Sequence, residues 1–60
     1  MTDQKRREII KALAYGEAPS SVALAENVAQ EDVEELAGKE AAEIAACRDR
    51  LRKAGYLEGN

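Results

Sequence analysis

The sequence predicts an all-α fold, a small bundle of three to four helices that forms one domain over residues 1–60. Three observations favour this fold class. Sixty residues leave room for a single small domain. Apolar residues recur at helical spacing in several segments, and no segment shows the alternation of apolar and polar residues that is typical of a strand. Gly and Pro residues separate these segments, as expected of short helices joined by tight connections.

The first predicted helix runs from about Asp3 to Tyr15. Four apolar residues share one face of this helix: Ile9, Ile10, Leu13 and Ala14. Thr2 or Asp3 can cap its start, and Gly16 suits the left-handed backbone conformation that ends many helices. A break follows, because Pro19 disfavours helical backbone at the residue before it.

The second predicted helix is short and runs from about Ser20 or Ser21 to Glu26. Either serine can cap its N-terminus with a side-chain oxygen. Its apolar side consists of Val22, Ala23 and Ala25. Asn27 follows and is the best non-glycine candidate in the chain for the left-handed residue that ends a helix.

Two further helices are predicted toward the C-terminus. The third covers residues 30–37, and Gly38 is expected to weaken or end it. The fourth covers residues 40–54 and has an apolar stripe of Ala41, Ile44, Ala45, Cys47, Leu51 and Ala54. Gly55 is expected to take a left-handed conformation at its end, with the Tyr56 side chain folding back onto the last turn.

The predicted core is small. Ala accounts for 12 of the 27 apolar residues, and only eleven residues are Leu, Ile or Val. Burying a large side chain stabilises a fold by roughly 1.5–3 kcal/mol, whereas ordering the chain costs about 1.5 kcal/mol per residue. We therefore expect marginal stability or a homodimer.

The composition excludes several classes of function. The chain has no His and a single Cys, so it can form neither an internal disulfide nor a zinc site of Cys and His ligands, and we expect no metal and no cofactor. A bundle of this size has little room for a catalytic cleft, so we expect no enzyme activity and no catalytic residues. No apolar run is long enough to span a membrane, and the N-terminus lacks a secretory signal, so a cytoplasmic protein is expected.

Charge is distributed unevenly along the chain. Residues 1–15 carry a net charge of +2, residues 16–43 carry −7, and residues 44–60 carry +2. The simplest expectation is that the terminal helices pack beside the acidic middle and form surface ion pairs with it. The alternative is that this uneven distribution of charge has a functional role.

Residues 21–36 have the layout of a short helix, a tight turn and a second helix. Ala23 is the small residue that two closely crossing helices need, and Asn27 stands four residues later, where a left-handed turn residue is needed. Val28 can fill the corner between the helices. This segment resembles the helix-turn-helix domain of small bacterial and phage transcriptional regulators. The resemblance implies a helix-turn-helix-like core, and because few residues follow helix four we expect no wing.

The resemblance also implies a regulatory protein that binds double-stranded DNA, acting as a dimer because one short module buries little surface. In that family the second helix of the motif enters the major groove. The corresponding positions are Ala29, Gln30, Glu31, Glu34 and Glu35. Three of these five are acidic and repel phosphates, whereas Gln30 can pair with adenine. The residues expected to contact DNA are Lys5, Arg6, Arg7, Lys11, Ser21 and Gln30. In an alternative alignment of the motif, here called the shifted register, helix four is the recognition helix. This register places four basic residues toward the DNA backbone: Arg48, Arg50, Arg52 and Lys53.

A function of another class fits the same fold. A protein-interaction module would use the acidic helix within residues 30–43 to bind a basic protein partner. Its contact residues would be Glu31, Glu34, Glu35 and Glu40. Self-association through the Ala-rich face of helix four is a further form of this hypothesis. Fold-level analogy favours DNA binding, and local electrostatics favours the protein partner.

Overall fold

The computed structural model describes residues 1–57, and within this range the chain forms four α-helices and no strand. The helices are α1 (Asp3–Ala14), α2 (Pro19–Glu26), α3 (Gln30–Lys39) and α4 (Ala41–Lys53). The prediction of a small all-α bundle is confirmed. The expectation that no wing follows helix four concerns mainly residues 58–60, which lie outside the described residues.

Local capping determines both ends of α1. The Thr2 Oγ1 accepts a hydrogen bond of 3.1 Å from the backbone N–H of Lys5, so Thr2 rather than Asp3 is the cap. At the other end Gly16 has φ +96°, and its N–H donates to the carbonyl of Leu13 at 3.0 Å. These bonds satisfy backbone groups that a helix end otherwise leaves unpaired.

The start of α2 differs from the prediction. The extended N-cap residue is Ala18, and Pro19 takes the first helical position. Proline suits this position because its fixed φ is helical and it has no N–H to leave unpaired. Ser20 and Ser21 follow within the first turn and are exposed, and no side chain caps the helix. The prediction that one of these serines caps α2 is therefore wrong.

The turn between α2 and α3 has the predicted geometry. Asn27 has φ 57° and ψ 48°, and it is the only non-glycine residue with positive φ within residues 1–57. The N–H of Val28 donates to the carbonyl of Ala23 at 3.0 Å across this turn. Asn tolerates the left-handed region because its short polar side chain can bond locally. The tight turn lets α3 fold back against α2.

Of the two predicted effects of Gly38, ending α3 is excluded, because the helix continues past this residue. The helix continues to Lys39, and Glu40 alone separates it from α4. Backbone bonding bridges this junction, since the Glu40 N–H donates to the Leu36 carbonyl at 2.8 Å and its own carbonyl accepts from Ile44 at 2.9 Å. A glycine inside a helix lowers helix stability by about 1 kcal/mol relative to alanine. The backbone hydrogen bonds across the junction offset this loss.

The end of α4 is a Schellman motif, as predicted. Gly55 has φ +85°, and its N–H donates to the carbonyl of Arg52 at 3.0 Å. The N–H of Tyr56 donates to the carbonyl of Leu51 at 2.9 Å. The Tyr56 side chain is 68% exposed, so the expected apolar contact covers little of it.

The core lies where α1 meets the other three helices. α1 contacts α2, α3 and α4, whereas α2 and α4 do not contact each other in the described part of the chain. The buried cluster consists of Ile9, Leu13, Val22, Ala23 and Val33. The outer side of α2 carries Leu24, which is 86% exposed, and Ala25, which the prediction had placed on the apolar side.

The apolar stripe of α4 is only half covered. Ile44, Cys47 and Leu51 are half-buried, whereas the alanines of the stripe are exposed. α4 packs mainly along α1 and meets α3 near their junction, so one side of the stripe has no helix over it. Helical periodicity correctly identifies the stripe, but it overestimates how much of it is buried.

Arg48 ties α4 to α1. Its Nε donates to the carbonyl of Ala14 at 3.0 Å, and its Nη2 donates to the carbonyl of Leu13 at 3.1 Å. The guanidinium thus satisfies acceptors at the C-terminal end of α1, where a positive charge is also favoured by the helix dipole. Arg48 therefore has a structural role, although the shifted register had assigned it to the DNA backbone.

Candidate interaction surfaces

Two of the four basic residues of α1 make contacts within the protein. Lys5 is half-buried, and its Nζ donates to the carbonyl of Glu26 at 2.8 Å. This carbonyl belongs to the last turn of α2, so the ammonium group stabilises the negative end of that helix. Lys5 therefore joins α1 to α2.

Arg6 faces the junction of α3 and α4. Its Nη2 lies 3.1 Å from Glu40 Oε2 and 3.0 Å from Glu43 Oε2. The hydrogen bond with Glu40, followed by the charges of both carboxylates, raises the pKa of Arg6 above its ordinary value. The predicted pairing of a terminal helix with the acidic middle occurs at this point. Arg6 and Glu40, which the sequence analysis assigned to two alternative interfaces, are partners of each other.

Arg7 and Lys11 are the two α1 bases that point outward. Both are exposed, and together with Arg50 of α4 they line a groove between the two helices. This groove, called the α1–α4 groove below, has a volume of about 260 Å³. Its apolar lining consists of Ile10, Cys47 and Leu51, and Glu43 also lines it. No ion pair involves the three bases within residues 1–57.

The remaining two predicted DNA contacts lie elsewhere. Ser21 is exposed in the first turn of α2, and Gln30 is exposed at the start of α3, where its Nε2 donates to Glu34 Oε2 at 2.9 Å. Neither residue lines the groove that holds Arg7 and Lys11. The six predicted DNA contacts are therefore spread over separate parts of the surface.

The outer side of α3 is strongly acidic. It carries four exposed carboxylates, called the acidic face below: Glu31, Asp32, Glu34 and Glu35. Val33 is fully buried, so the opposite side of the helix, which carries Glu31 and Glu35, points outward, and Asp32 and Glu34 lie on its two flanks. Two of them lie in the first turn, where the helix dipole favours negative charge. No ion pair joins any of the four to a basic side chain in the described residues.

Arg50 is a surface residue that is absent from the six predicted DNA contacts, although the shifted register places it toward the DNA backbone. The sequence places it late on helix four, and only the packing of α4 against α1 brings it to the groove beside Arg7 and Lys11. A partial signal exists in the sequence, because Arg50 lies between Cys47 and Leu51 of the apolar stripe. That position places Arg50 at the edge of the apolar stripe of α4, but it does not indicate that α1 lies across from this edge.

No group of three or more His, Cys, Asp or Glu side chains within residues 1–57 is arranged to hold a metal ion. Over the same range, no helix has both the length and the apolar character needed to cross a membrane.

Comparison with known proteins gives no relative. The chain matches no protein-family model, no curated protein and no solved structure. What the protein does must therefore be inferred from its surface chemistry.

Proposed function

We propose that the protein is a protein-interaction module that binds a basic partner through the acidic face of α3. The observation that carries this proposal is the group of four exposed carboxylates within five residues of one helix, none of them in an ion pair within residues 1–57. Carboxylates three and four residues apart on a helix are neighbours, so Glu31 repels Glu34 and Glu35, and a partner that supplies positive charge relieves the repulsion.

Electrostatics supports a basic protein over a nucleic acid at this face. Duplex DNA carries one negative charge per ≈ 1.7 Å of its axis, and binding it depends on Lys and Arg contacts that release counterions. The carboxylates of α3 offer the opposite charge. Two bases lie near this face, Lys39 at the end of α3 and Arg6 of α1. They do not offset the four carboxylates, because Lys39 is a single charge and Arg6 bonds to Glu40 and Glu43.

A second candidate function, DNA binding by a helix-turn-helix regulator, is favoured by the backbone of the turn. Asn27 is left-handed, and the small residue Ala23 is buried in the cluster that also holds Val33 of α3. In this candidate Arg7 and Lys11 would supply phosphate contacts and Gln30 would approach the bases.

The two functions are separated by binding of opposite probes. A labelled peptide of about twenty lysines and a labelled random duplex are titrated with the protein at about 50 mM and about 200 mM salt, and fluorescence anisotropy is recorded. We expect the cationic peptide to bind with an affinity that falls with salt, and the duplex to bind more weakly. Tighter binding of the duplex would contradict the proposal and favour the regulator.

A matched pair of variants locates the binding face. The double variant Glu31→Lys with Glu35→Lys reverses two charges of the acidic face, and Glu8→Lys with Glu17→Lys makes the same change in net charge at exposed positions elsewhere. We expect the first variant to lose most of the peptide affinity and the second to retain most of it. Equal losses in both would show that net charge, not the acidic face, determines binding.

A further inference from the structure

We propose that the α1–α4 groove is a second docking site, which takes an acidic amphipathic helix of a partner protein. This site is separate from the acidic face of α3 and has the opposite charge. The proposal goes beyond the proposed function, because it gives the molecule two surfaces for two partners.

The groove combines an apolar floor with a basic rim. Leu51 and Cys47 are only half-buried, so α4 leaves apolar surface open beside Ile10. Arg7 and Lys11 stand one helical turn apart on α1, and Arg50 stands on α4. Helix recognition in grooves uses this combination, in which apolar side chains at i and i+3 or i+4 enter the groove and charged side chains flank it.

The bases on the rim are the feature that selects an acidic partner. Elsewhere in the described residues the bases of these two helices have partners: Arg6 pairs with Glu40 and Glu43, and Lys53 lies 3.1 Å from Asp49. Arg7, Lys11 and Arg50 have no ion pair within residues 1–57, and of the residues lining the groove only Glu43, the partner of Arg6, is acidic. Carboxylates on a docked helix can supply the missing partners at i and i+4, the spacing of Arg7 and Lys11.

A second copy of the chain fits this groove poorly. Two copies meeting through the same groove would bring their three bases together, which is repulsive. The acidic face of a second copy has the right charge, but its four residues are all Glu or Asp, so it has no apolar side chain to cover Leu51. Duplex DNA would satisfy the bases but would leave the apolar floor uncovered.

The test uses three synthetic helical peptides and a ¹⁵N-labelled sample of the whole chain. One peptide has Leu at i, i+3, i+4 and i+7 with Glu at the flanking positions, the second has the same composition in scrambled order, and the third has Lys in place of Glu. We expect the first peptide to bind at least tenfold more tightly than the other two, and to shift backbone amide signals of residues 7–11 and 47–51. Equal binding of the scrambled peptide, or shifts confined to α2 and α3, would overturn the proposal.

A matched pair of variants tests the rim. The double variant Arg7→Glu with Lys11→Glu should bind the acidic peptide about fivefold more weakly, or weaker still. Each exposed charge pair contributes up to about 1 kcal/mol, and 1.4 kcal/mol corresponds to a tenfold change in the dissociation constant. Lys39→Glu with Lys53→Glu makes the same change in net charge outside the groove and should have a smaller effect. The same loss in both variants would overturn the proposal, and so would tighter binding of a random duplex than of the peptide.

The failure of this proposal differs from failure of the proposed function. The acidic peptide reports on the α1–α4 groove, whereas the lysine peptide reports on α3. A sedimentation measurement on the same samples identifies self-association, and a dimer that dissociates in Arg7→Glu with Lys11→Glu would replace the acidic partner by a second copy.

Discussion

Replacing Arg48 by Met should destabilise the fold by releasing α4 from the end of α1. The substitution keeps most of the aliphatic length of the side chain but removes the two hydrogen bonds to the carbonyls of Ala14 and Leu13. Hydrogen bonds from a charged donor contribute about 1.5–3 kcal/mol each when buried. This guanidinium is partly solvated, so the expected loss is about 1–2 kcal/mol in total, including its interaction with the helix dipole.

Such a loss is large for a chain of this length. A domain of 60 residues has a free energy of unfolding of about 3–9 kcal/mol at roughly 0.05–0.15 kcal/mol per residue. Urea titration followed by circular dichroism should therefore show the midpoint of Arg48→Met lowered by about 1 M or more. The Tm should fall by about 5–15 °C.

Arg50→Met is the matched control, since Arg50 lies two residues away on the same helix and its side chain makes no hydrogen bond or ion pair within residues 1–57. We expect this variant to stay within about 0.5 kcal/mol of the parent protein, the usual range for surface substitutions. The free energy of unfolding of Arg48→Lys should lie between those of Arg48→Met and Arg50→Met. Lysine keeps the positive charge but lacks the guanidinium, whose two nitrogens donate to two carbonyls at once. Equal stability of the Arg48→Met and Arg50→Met variants would refute the capping role of Arg48.

Three further predictions concern the turn, the core and the α1 ion pair. Asn27→Ala should lower the free energy of unfolding by about 1 kcal/mol, because the left-handed conformation is costly for a residue with Cβ, whereas Asn27→Gly should be neutral or stabilising; urea titrations that rank Ala above Gly would contradict this. Val33→Ala should cost at least about 1.6 kcal/mol, the transfer free energy of two buried CH₂-sized groups, with a cavity contribution added; a cost under about 0.5 kcal/mol by the same assay would show that Val33 is not buried. Because the pKa of Arg6 is raised in the folded state, its stabilising contribution is complete at neutral pH and is lost only as the pH rises through the folded-state pKa. The difference in Tm between Arg6→Met and the parent should thus stay constant from about pH 7 to about pH 10, and a difference that disappears within this range would contradict the sign of the shift.

Much of the fold was predictable because its determinants are local. Thr2, Gly16, Asn27 and Gly55 have the capping and turn roles that their residue types indicate. A helix end depends on backbone groups within about one turn, so the information lies within a few residues of sequence. The misassigned start of α2 is also local, since Pro19 at the first helical position competes with a serine cap for the same end.

The extent of burial was less predictable. The apolar stripe of α4 has the helical period, but the period identifies a face and does not say how many helices cover it. The continuation of α3 through Gly38 has a similar origin, because the short connection to α4 holds the helix together beyond the residue that weakens it.

The sequence by itself determined the four helices, the helix-ending residues Gly16, Asn27 and Gly55, and the sign of charge on each helix of this protein, because these depend on residues close together in the chain. Only the tertiary structure decided which charges face solvent. Lys5 reaches a carbonyl 21 residues away, Arg6 reaches a carboxylate 37 residues away, and Arg48 reaches carbonyls 34 and 35 residues away. The residues next to a Lys or Arg in the sequence do not indicate whether its side chain contacts water, a helix end or a carboxylate. The packing of the helices selects the partner, and it leaves the carboxylates of the acidic face of α3 and the three bases of the α1–α4 groove exposed and without ion pairs within residues 1–57.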